Sequence, residues 1–407
     1  MMKRFITSML LLTALLSVKA QVIEHHYFTN SPSITDNFYR LADSIKSGSE
    51  PLNVSDVKLS FSTFIGDGRL NDNERSYVCK VLNTFMLQSQ PLTVYSEYIT
   101  AANNFLGSDF SSSDIAVWSD YLASTKTDIA GLTRWSQLFA LKQLYTNNIL
   151  TWEYEGGTVN LTAEKDGPVV VISNSTVRCT LNDSIIIKEC SGRYYPDKRV
   201  LIGEKGTVTW EKAGMSQSDI YARLPNPYSI DMNKSGISMD SVSLYYKKYF
   251  GSTPLLGSFS DRCVNRESKE ANYPKFAAYN DNITIRNLYP DVDFTGQILL
   301  EGNRMSGSGT SDIPAQVNFT IDRRPTIFLK SEHFLFSQNY FSTKEAEMEM
   351  HIKDDTIHQP SCLVRYDVGQ KRFRVTRDDD KSGSSPFHST YHKMNVYSDE
   401  LIWVLSS

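Results

Sequence analysis

The chain has 407 residues, with 42 Lys and Arg against 46 Asp and Glu, a net charge of −4, and 12% aromatic residues. That mildly acidic balance excludes a general nucleic-acid binder, which carries a basic face. Five cysteines with no CxxC or Cys/His cluster exclude a structural zinc module, and the histidines lack a zincin's helical HExxH.

The first twenty residues have the three parts of a secretory signal. Lys3 and Arg4 give a positive start, Met9 to Leu16 a short apolar segment, and Val18-Lys19-Ala20 a cleavage site that would leave Gln21 first. The apolar segment is shorter than the roughly 20 residues a spanning helix needs. No later stretch reads as a transmembrane segment, and no Cys follows the cleavage site to take a lipid. Without Lys3, Arg4 and Lys19 the charge becomes 39 against 46, or −7. The expectation is an exported protein, periplasmic or at the cell surface: 1–20 signal peptide, 21–152 helical domain, 153–407 β-rich domain.

From Thr35 to Asn148 the apolar spacing predicts roughly five helices. Phe38, Leu41 and Ile45 share a face, with Thr35 as cap and Gly48 as stop. Val57, Leu59 and Phe61 alternate and predict a short strand. Asn71-Asp72-Asn73-Glu74 reads as a capping box opening a helix with Tyr77, Val81 and Phe85 inward. It overlaps an acidic stretch from Asp67 that looks like a calcium loop but lacks the ligand spacing. Pro91 opens a helix with Leu92, Tyr95, Ile99 and Ala102, and Ser111 to Asp114 another with Ile115, Trp118 and Leu122. A last helix, from about Asp128, buries Leu132, Trp135, Phe139 and Leu144.

After Trp152 and the junction at Glu155-Gly156-Gly157-Thr158, short β patterns recur about every ten residues. They fall at 158–163, 168–173, 175–181, 184–189, 199–203, 206–211, 219–224, 236–246, 255–260, 282–288, 294–302, 315–321, 325–330, 332–336, 346–353, 362–368 and 371–377. A sandwich, a barrel or a β-solenoid accommodates such a series. Asp183-Ser184-Ile185, Asp240-Ser241-Val242 and Asp355-Thr356-Ile357 echo one another, as do Gly157-Thr158-Val159 and Gly206-Thr207-Val208. These echoes favour stacked units. The fold class expected is α+β, an N-terminal helical domain followed by a large, mainly antiparallel β region, as an elongated β-solenoid or stacked sheet. The apolar end, Leu401 to Leu405, reads as a strand left on an edge, so either another chain covers it or this is the front of a longer protein.

Cys79, Cys179, Cys190, Cys263 and Cys362 allow two disulfides at most. Cys179 and Cys190 flank the Asn182-Asp183 turn, but a two-residue hairpin would set Cys179 opposite Ile186, so buried, unpaired thiols are expected. His25, His26, His333, His351, His358, His388 and His392 offer no metal pattern. Gly302 to Gly309, GNRMSGSG, contains Ser306 and Ser308 without a nucleophile-elbow spacing and reads as a flexible loop. Acidic pairs at Asp291/Asp293 and Asp354/Asp355, and the run Asp378-Asp379-Asp380, have the composition of turns but also the residue type that cleaves glycosides. Asn53, Asn160, Asn174, Asn182, Asn233, Asn282 and Asn318 head N-x-[ST] triplets and read as ordinary polar positions in a bacterial chain. The aromatic residues suit both packing and sugar binding.

Gly206 to Gly214 (GTVTWEKAG), Asn287 to Gly296 (NLYPDVDFTG) and Phe387 to Trp403 resemble the front part of large exported proteins of Bacteroidetes bacteria. The resemblance implies an address, an architecture and continuation beyond Leu405, not an activity. Ser238 to Tyr246 and Ile298 to Gly302 are similar to periplasmic β-taco proteins that carry lipopolysaccharide. No functional residue carries over from either. Together these readings predict a non-catalytic envelope protein, a scaffold or binding surface for other envelope proteins, polysaccharide or lipid. It would have no nucleic-acid partner, no cofactor, and no assigned catalytic, cofactor-binding or metal residue. The alternatives are a carbohydrate-active β-helix enzyme, with two carboxylates and several rings in one groove, and a lipid or glycolipid carrier with an apolar channel.

Overall fold

The computed structural model describes residues 27–48, 51–107, 112–124, 129–147, 149–164, 167–181, 183–263, 272–321, 324–352, 355–377, 385–390 and 393–405. Among them, helices lead and antiparallel strands follow, which is the α+β class. No helix of the described residues is long and apolar enough to cross a membrane. The chain forms two compact units: Met1–Val177 with Ser191–Ile202 and Ser229–Asn233, and Arg178–Cys190 with Gly203–Tyr228 and Lys234–Ser407.

In the first unit the helices are α1 (Ile34–Ser44), α2 (Val54–Ile65), α3 (Asp72–Leu87), α4 (Leu92–Gly107), α5 (Ser112–Ser124) and α6 (Ile129–Ala140). The α1 helix follows Ser33 and ends before extended Ile45, ahead of Gly48. The strand expected around Val57 is instead α2. The Asn53 side chain accepts from Ser55 N at 3.1 Å, and Val57, Phe61, Phe64 and Ile65 are buried while Leu59 is 66% exposed. A helical spacing of four unites Val57 with Phe61, so Leu59 breaks the alternation by facing water. The capping box of α3 is present: Asn71 N donates to Glu74 Oε2 at 2.9 Å and Glu74 N to Asn71 Oδ1 at 3.1 Å. Asp67, free of the box, grips Arg69, whose side-chain hydrogen bond pulls that carboxyl down to about 2.

Aromatic rings fill the helical core. Phe38 stacks on Phe61 at 4.0 Å and Tyr98 on Trp118 at 4.9 Å, and the Tyr98 hydroxyl meets Ser119 Oγ at 2.7 Å. Leu144, expected in the last helix, lies in β1 (Gln143–Thr146), which pairs with β2 (Thr151–Glu155) around an Asn147 side chain that accepts from Ile149 N and Leu150 N. Helix therefore gives way to strand between Ala140 and Gln143. Next come β3 (Thr158–Glu164), β4 (Gly167–Thr180), β5 (Ser184–Tyr195) and β6 (Val200–Thr209). The β4 and β6 strands each join two segments that the sequence pattern separates, and residues of β4, β5 and β6 are divided between the units.

The second unit continues with β7 (Ile220–Arg223), β8 (Tyr228–Asp231, shared with the first unit), β9 (Gly236–Tyr246), a helical turn α7 (Lys247–Phe250), β10 (Leu255–Arg262), β11 (Lys275–Ala278) and β12 (Ile283–Tyr289). Then come β13 (Val292–Glu301), β14 (Arg304–Ser308), β15 (Ala315–Ile321), β16 (Arg324–Ser331), β17 (His333–Phe336) and β18 (Tyr340–Ile352). The described strands end with β19 (Asp355–Asp367), β20 (Arg372–Arg377), β21 (Phe387–Ser389), β22 (Met394–Val396) and β23 (Glu400–Val404).

Antiparallel pairing runs β13 to β14, β14 to β17, β17 to β18, β18 to β16, β16 to β15, and β15 back to β13. The segments β14 and β15 lie end to end along one edge of β13, and β17 and β16 lie end to end along one edge of β18, so these six segments form an antiparallel meander whose strands are interrupted at 309–314 and at Glu332. Phe294, Phe334 and Phe341 are fully buried in it. The echoes do not occupy equivalent places: Ser184 and Asp355 open β5 and β19, whereas Asp240-Ser241 lies inside β9, with Ser241 at positive φ, opposite a register shift in β10. Gly302 to Gly309 is not a loop, since Arg304–Ser308 is a strand paired with β13 and β17. Gly307 leaves room there, because a Cβ on it would come within 2.3 Å of the Phe294 ring. The β23 strand pairs with β20, leaving Ile402 and Val404 about half exposed.

Candidate functional site

The first unit carries a groove of about 550 Å³ between α6, β1 and the turn after β5. Helix α6 supplies Trp135 and Arg134, β1 supplies Tyr145, α5 supplies Tyr121, and the chain from Tyr194 through Asp197 to Arg199 closes the side. Local polar bonds fix these groups. Trp135 Nε1 and the Tyr194 hydroxyl both donate to the Leu144 carbonyl, at 3.0 and 2.8 Å. Burial raises the Tyr194 hydroxyl pKa against the pull of Arg199, so it stays a neutral donor. Arg199 sits at φ 55°, held where its carbonyl accepts from Met232 N at 2.9 Å. Its guanidinium lies over the Tyr145 ring, 5.5 Å from the centroid, and donates to Asn233 Oδ1 at 3.2 Å. Arg134 is 3.5 Å from Glu97.

Four aromatic rings and two guanidiniums converge here, and Asp197 is the one acidic residue among the described lining residues. Such a wall offers flat apolar faces beside strong donors, the pairing that ligand pockets use to hold and orient a guest. Glycoside cleavage uses two carboxyl groups about 5–10 Å apart, which this lining does not supply.

None of the acidic pairs is among the described residues that line this groove. Asp291, at φ 64°, makes the turn between β12 and β13, and Asp293 accepts from Asn287 N at 2.8 Å. Asp355 begins β19, paired with Ile352; Asp354 and Asp378 to Asp380 lie outside the described residues. His351 pairs with Glu349 at 2.8 Å, His358 with Glu347 at 3.3 Å, and His388 with Asn395 at 3.0 Å. His25, His26 and His392 lie outside the described residues, among which no group of three or more His, Cys, Asp or Glu could hold a metal ion. Ser308 is the cross-strand neighbour of His333, but it stands in a regular strand rather than on the strand-to-helix elbow that exposes a serine nucleophile.

The second unit holds a buried charged cluster that sequence reading missed. The 3-10 turn Glu211–Ala213 lifts Lys212 so that its ammonium meets Asp261, Asp183 Oδ2 at 3.2 Å and the Arg262 carbonyl at 3.2 Å. Asp261 is 5% exposed, and burial pushes its carboxyl up to about 6 despite the opposing ammonium. Its signal was in the alternation: Phe259 and Asp261 occupy inward positions of β10, and an acid there needs a partner. No family model, curated protein or solved structure matches this chain.

Proposed function

We propose that this chain is an exported, non-catalytic component of a bacterial cell envelope that acts as a scaffold and binding surface, and that its groove holds polysaccharide. The observation that carries the reading is the convergence of Tyr121, Trp135, Tyr145 and Tyr194 with Arg134 and Arg199 around a single lining carboxylate. The half-buried faces of Tyr121 and Tyr145 suit the C–H faces of sugar rings, with Trp135 and fully buried Tyr194 behind them, and guanidiniums suit sugar hydroxyls and uronic carboxylates. Lipid carriage draws no support from the face of the sheet that carries Phe294, Phe334 and Phe341, because these rings are fully buried against one another.

Calorimetric titration of the purified chain with neutral and uronic-acid oligosaccharides tests this. Binding is expected, weakened at least about tenfold by Arg199→Ala or Tyr145→Ala, the equivalent of about 1.4 kcal/mol, with no release of new reducing ends. Absence of binding across the panel, or binding indifferent to both substitutions, overturns the reading. Reducing ends released by the wild type but not by Asp197→Asn would move it to the enzyme alternative. For export, sequencing the N-terminus of chain recovered from the periplasm is expected to begin at Gln21; recovery only from the cytoplasm with Met1 intact overturns that part.

A further inference from the structure

The second unit brings two of the five cysteines together from distant parts of the chain. Cys179 is the penultimate residue of β4 and fully buried. Cys263 directly follows β10, is 4% exposed, and is tied down by its backbone N–H donating to the Ser235 carbonyl at 2.8 Å. Its Sγ lies 3.6 Å from the Cys179 carbonyl oxygen. The other thiols are engaged elsewhere: Cys190 with the Tyr228 hydroxyl at 3.2 Å, Cys362 with the Ala346 carbonyl at 3.2 Å, and Cys79 within α3.

We propose that Cys179 and Cys263 form a dithiol that closes to a disulfide when the chain folds in the presence of a disulfide-bearing oxidant. Either cysteine can attack the oxidant first, and the other then resolves the mixed disulfide.

In the first step the thiolate of one of the two cysteines attacks one sulfur of the oxidant R–S–S–R; a mixed disulfide with the protein forms and RS⁻ leaves. In the second, the thiolate of the other cysteine attacks the protein sulfur of that mixed disulfide, the intramolecular bond forms and the second RS⁻ leaves. The two protons lost by the cysteines end on the two RSH, so the pair is oxidised and the carrier reduced by two electrons. Because both sulfurs are buried in the folded chain, exchange takes place while the β10 end is still open. The cross-link joins residues 84 positions apart, a long loop whose closure restricts the unfolded chain.

The test uses the full chain unfolded, then refolded with reduced and oxidised glutathione, and separately recovered from an oxidising compartment without reductant. Both samples are alkylated under denaturing conditions and mapped by peptide mass spectrometry. The expected result is one intramolecular cross-link, between the peptides of Cys179 and Cys263, lost on reduction, with Cys79, Cys190 and Cys362 alkylated. Oxidised chain is expected to melt several degrees higher than reduced chain, a difference absent in Cys263→Ser; the mass map stands alone if that variant does not fold. Five alkylated cysteines in the glutathione-refolded sample, or cross-links mainly between other cysteines, overturns the proposal. A cross-link in the refolded sample with none in recovered chain upholds the dithiol and counts instead against export, which keeps the two readings separable.

Discussion

Replacing Lys212 by Met tests whether the buried cluster stabilises the second unit. The ammonium is the counter-charge of Asp261, and their side chains are 16% and 6% exposed. Removing one partner of a buried pair leaves an uncompensated charge and costs about 3–5 kcal/mol, and that is the loss expected at pH 7.5. Asp261 has an escape, however, because its carboxyl already titrates at about 6 and loses its opposing ammonium in the variant. That folded value lies above the roughly 3.9 of an unfolded Asp, so the native state binds the proton more tightly. The contribution of Asp261 therefore grows as pH falls from about 6 toward about 4 and is lost as pH rises through that window. At pH 5 the variant holds a neutral Asp261, and the remaining loss is that of the Lys212 bonds to Asp183 and the Arg262 carbonyl, about 1 kcal/mol. Urea unfolding at both pH values, followed by the fluorescence of buried Trp210, reads the difference. An equal loss at pH 5 and pH 7.5, or a loss under about 1 kcal/mol at pH 7.5, would refute the argument.

Other substitutions address the rest of the frame. Asn71→Ala removes the α3 cap and is expected to cost about 1 kcal/mol; Glu74→Ala should cost more, since its carboxylate also accepts from Ser112 Oγ at 2.7 Å, and thermal unfolding ranks the two. Phe341→Ala leaves a cavity where the fully buried ring packs on Phe319, Phe334 and Tyr366 and should lower stability by about 3–5 kcal/mol; a loss below about 1 kcal/mol in denaturant titration would mean the ring is not packed. Gly203→Ala places a Cβ 1.9 Å from the Tyr228 ring, an overpacking expected to cost about 1–3 kcal/mol. In a Tyr228→Ala background it should cost at least about 1 kcal/mol less, and simple additivity would contradict the contact. Burial pushes the Cys79 and Cys190 thiols up to about 11, so native chain at pH 8 should react with iodoacetamide at these positions far more slowly than unfolded chain.

The helices were legible where caps and apolar spacing agreed, as at Asn71-Glu74 and after Pro91, because both signals are local to one turn. Val57 to Phe61 misled because three alternating apolar residues fit both periods, and only burial of Phe64 and Ile65 with exposure of Leu59 separates them. Strand positions were legible from alternation, but their pairing was not, because pairing order is set by contacts between residues far apart in sequence. The loop reading of GNRMSGSG failed for a related reason: its small residues suit a turn in isolation, but they are needed in β14 because the Phe294 ring occupies the space a side chain at Gly307 would take. The groove was hidden in the same way. Trp135 reads as core from its spacing and is 7% exposed, yet its ring lines the surface that Tyr145 and Arg199 complete from β1 and from the turn after β5. Chemistry assembled across elements in this way leaves a local trace only where a residue violates its own pattern. Asp261, an acid on an inward β10 position, is such a violation, and the ammonium that answers it and the two thiols beside it are the parts of this chain that a search for inward-facing charge would have reached first.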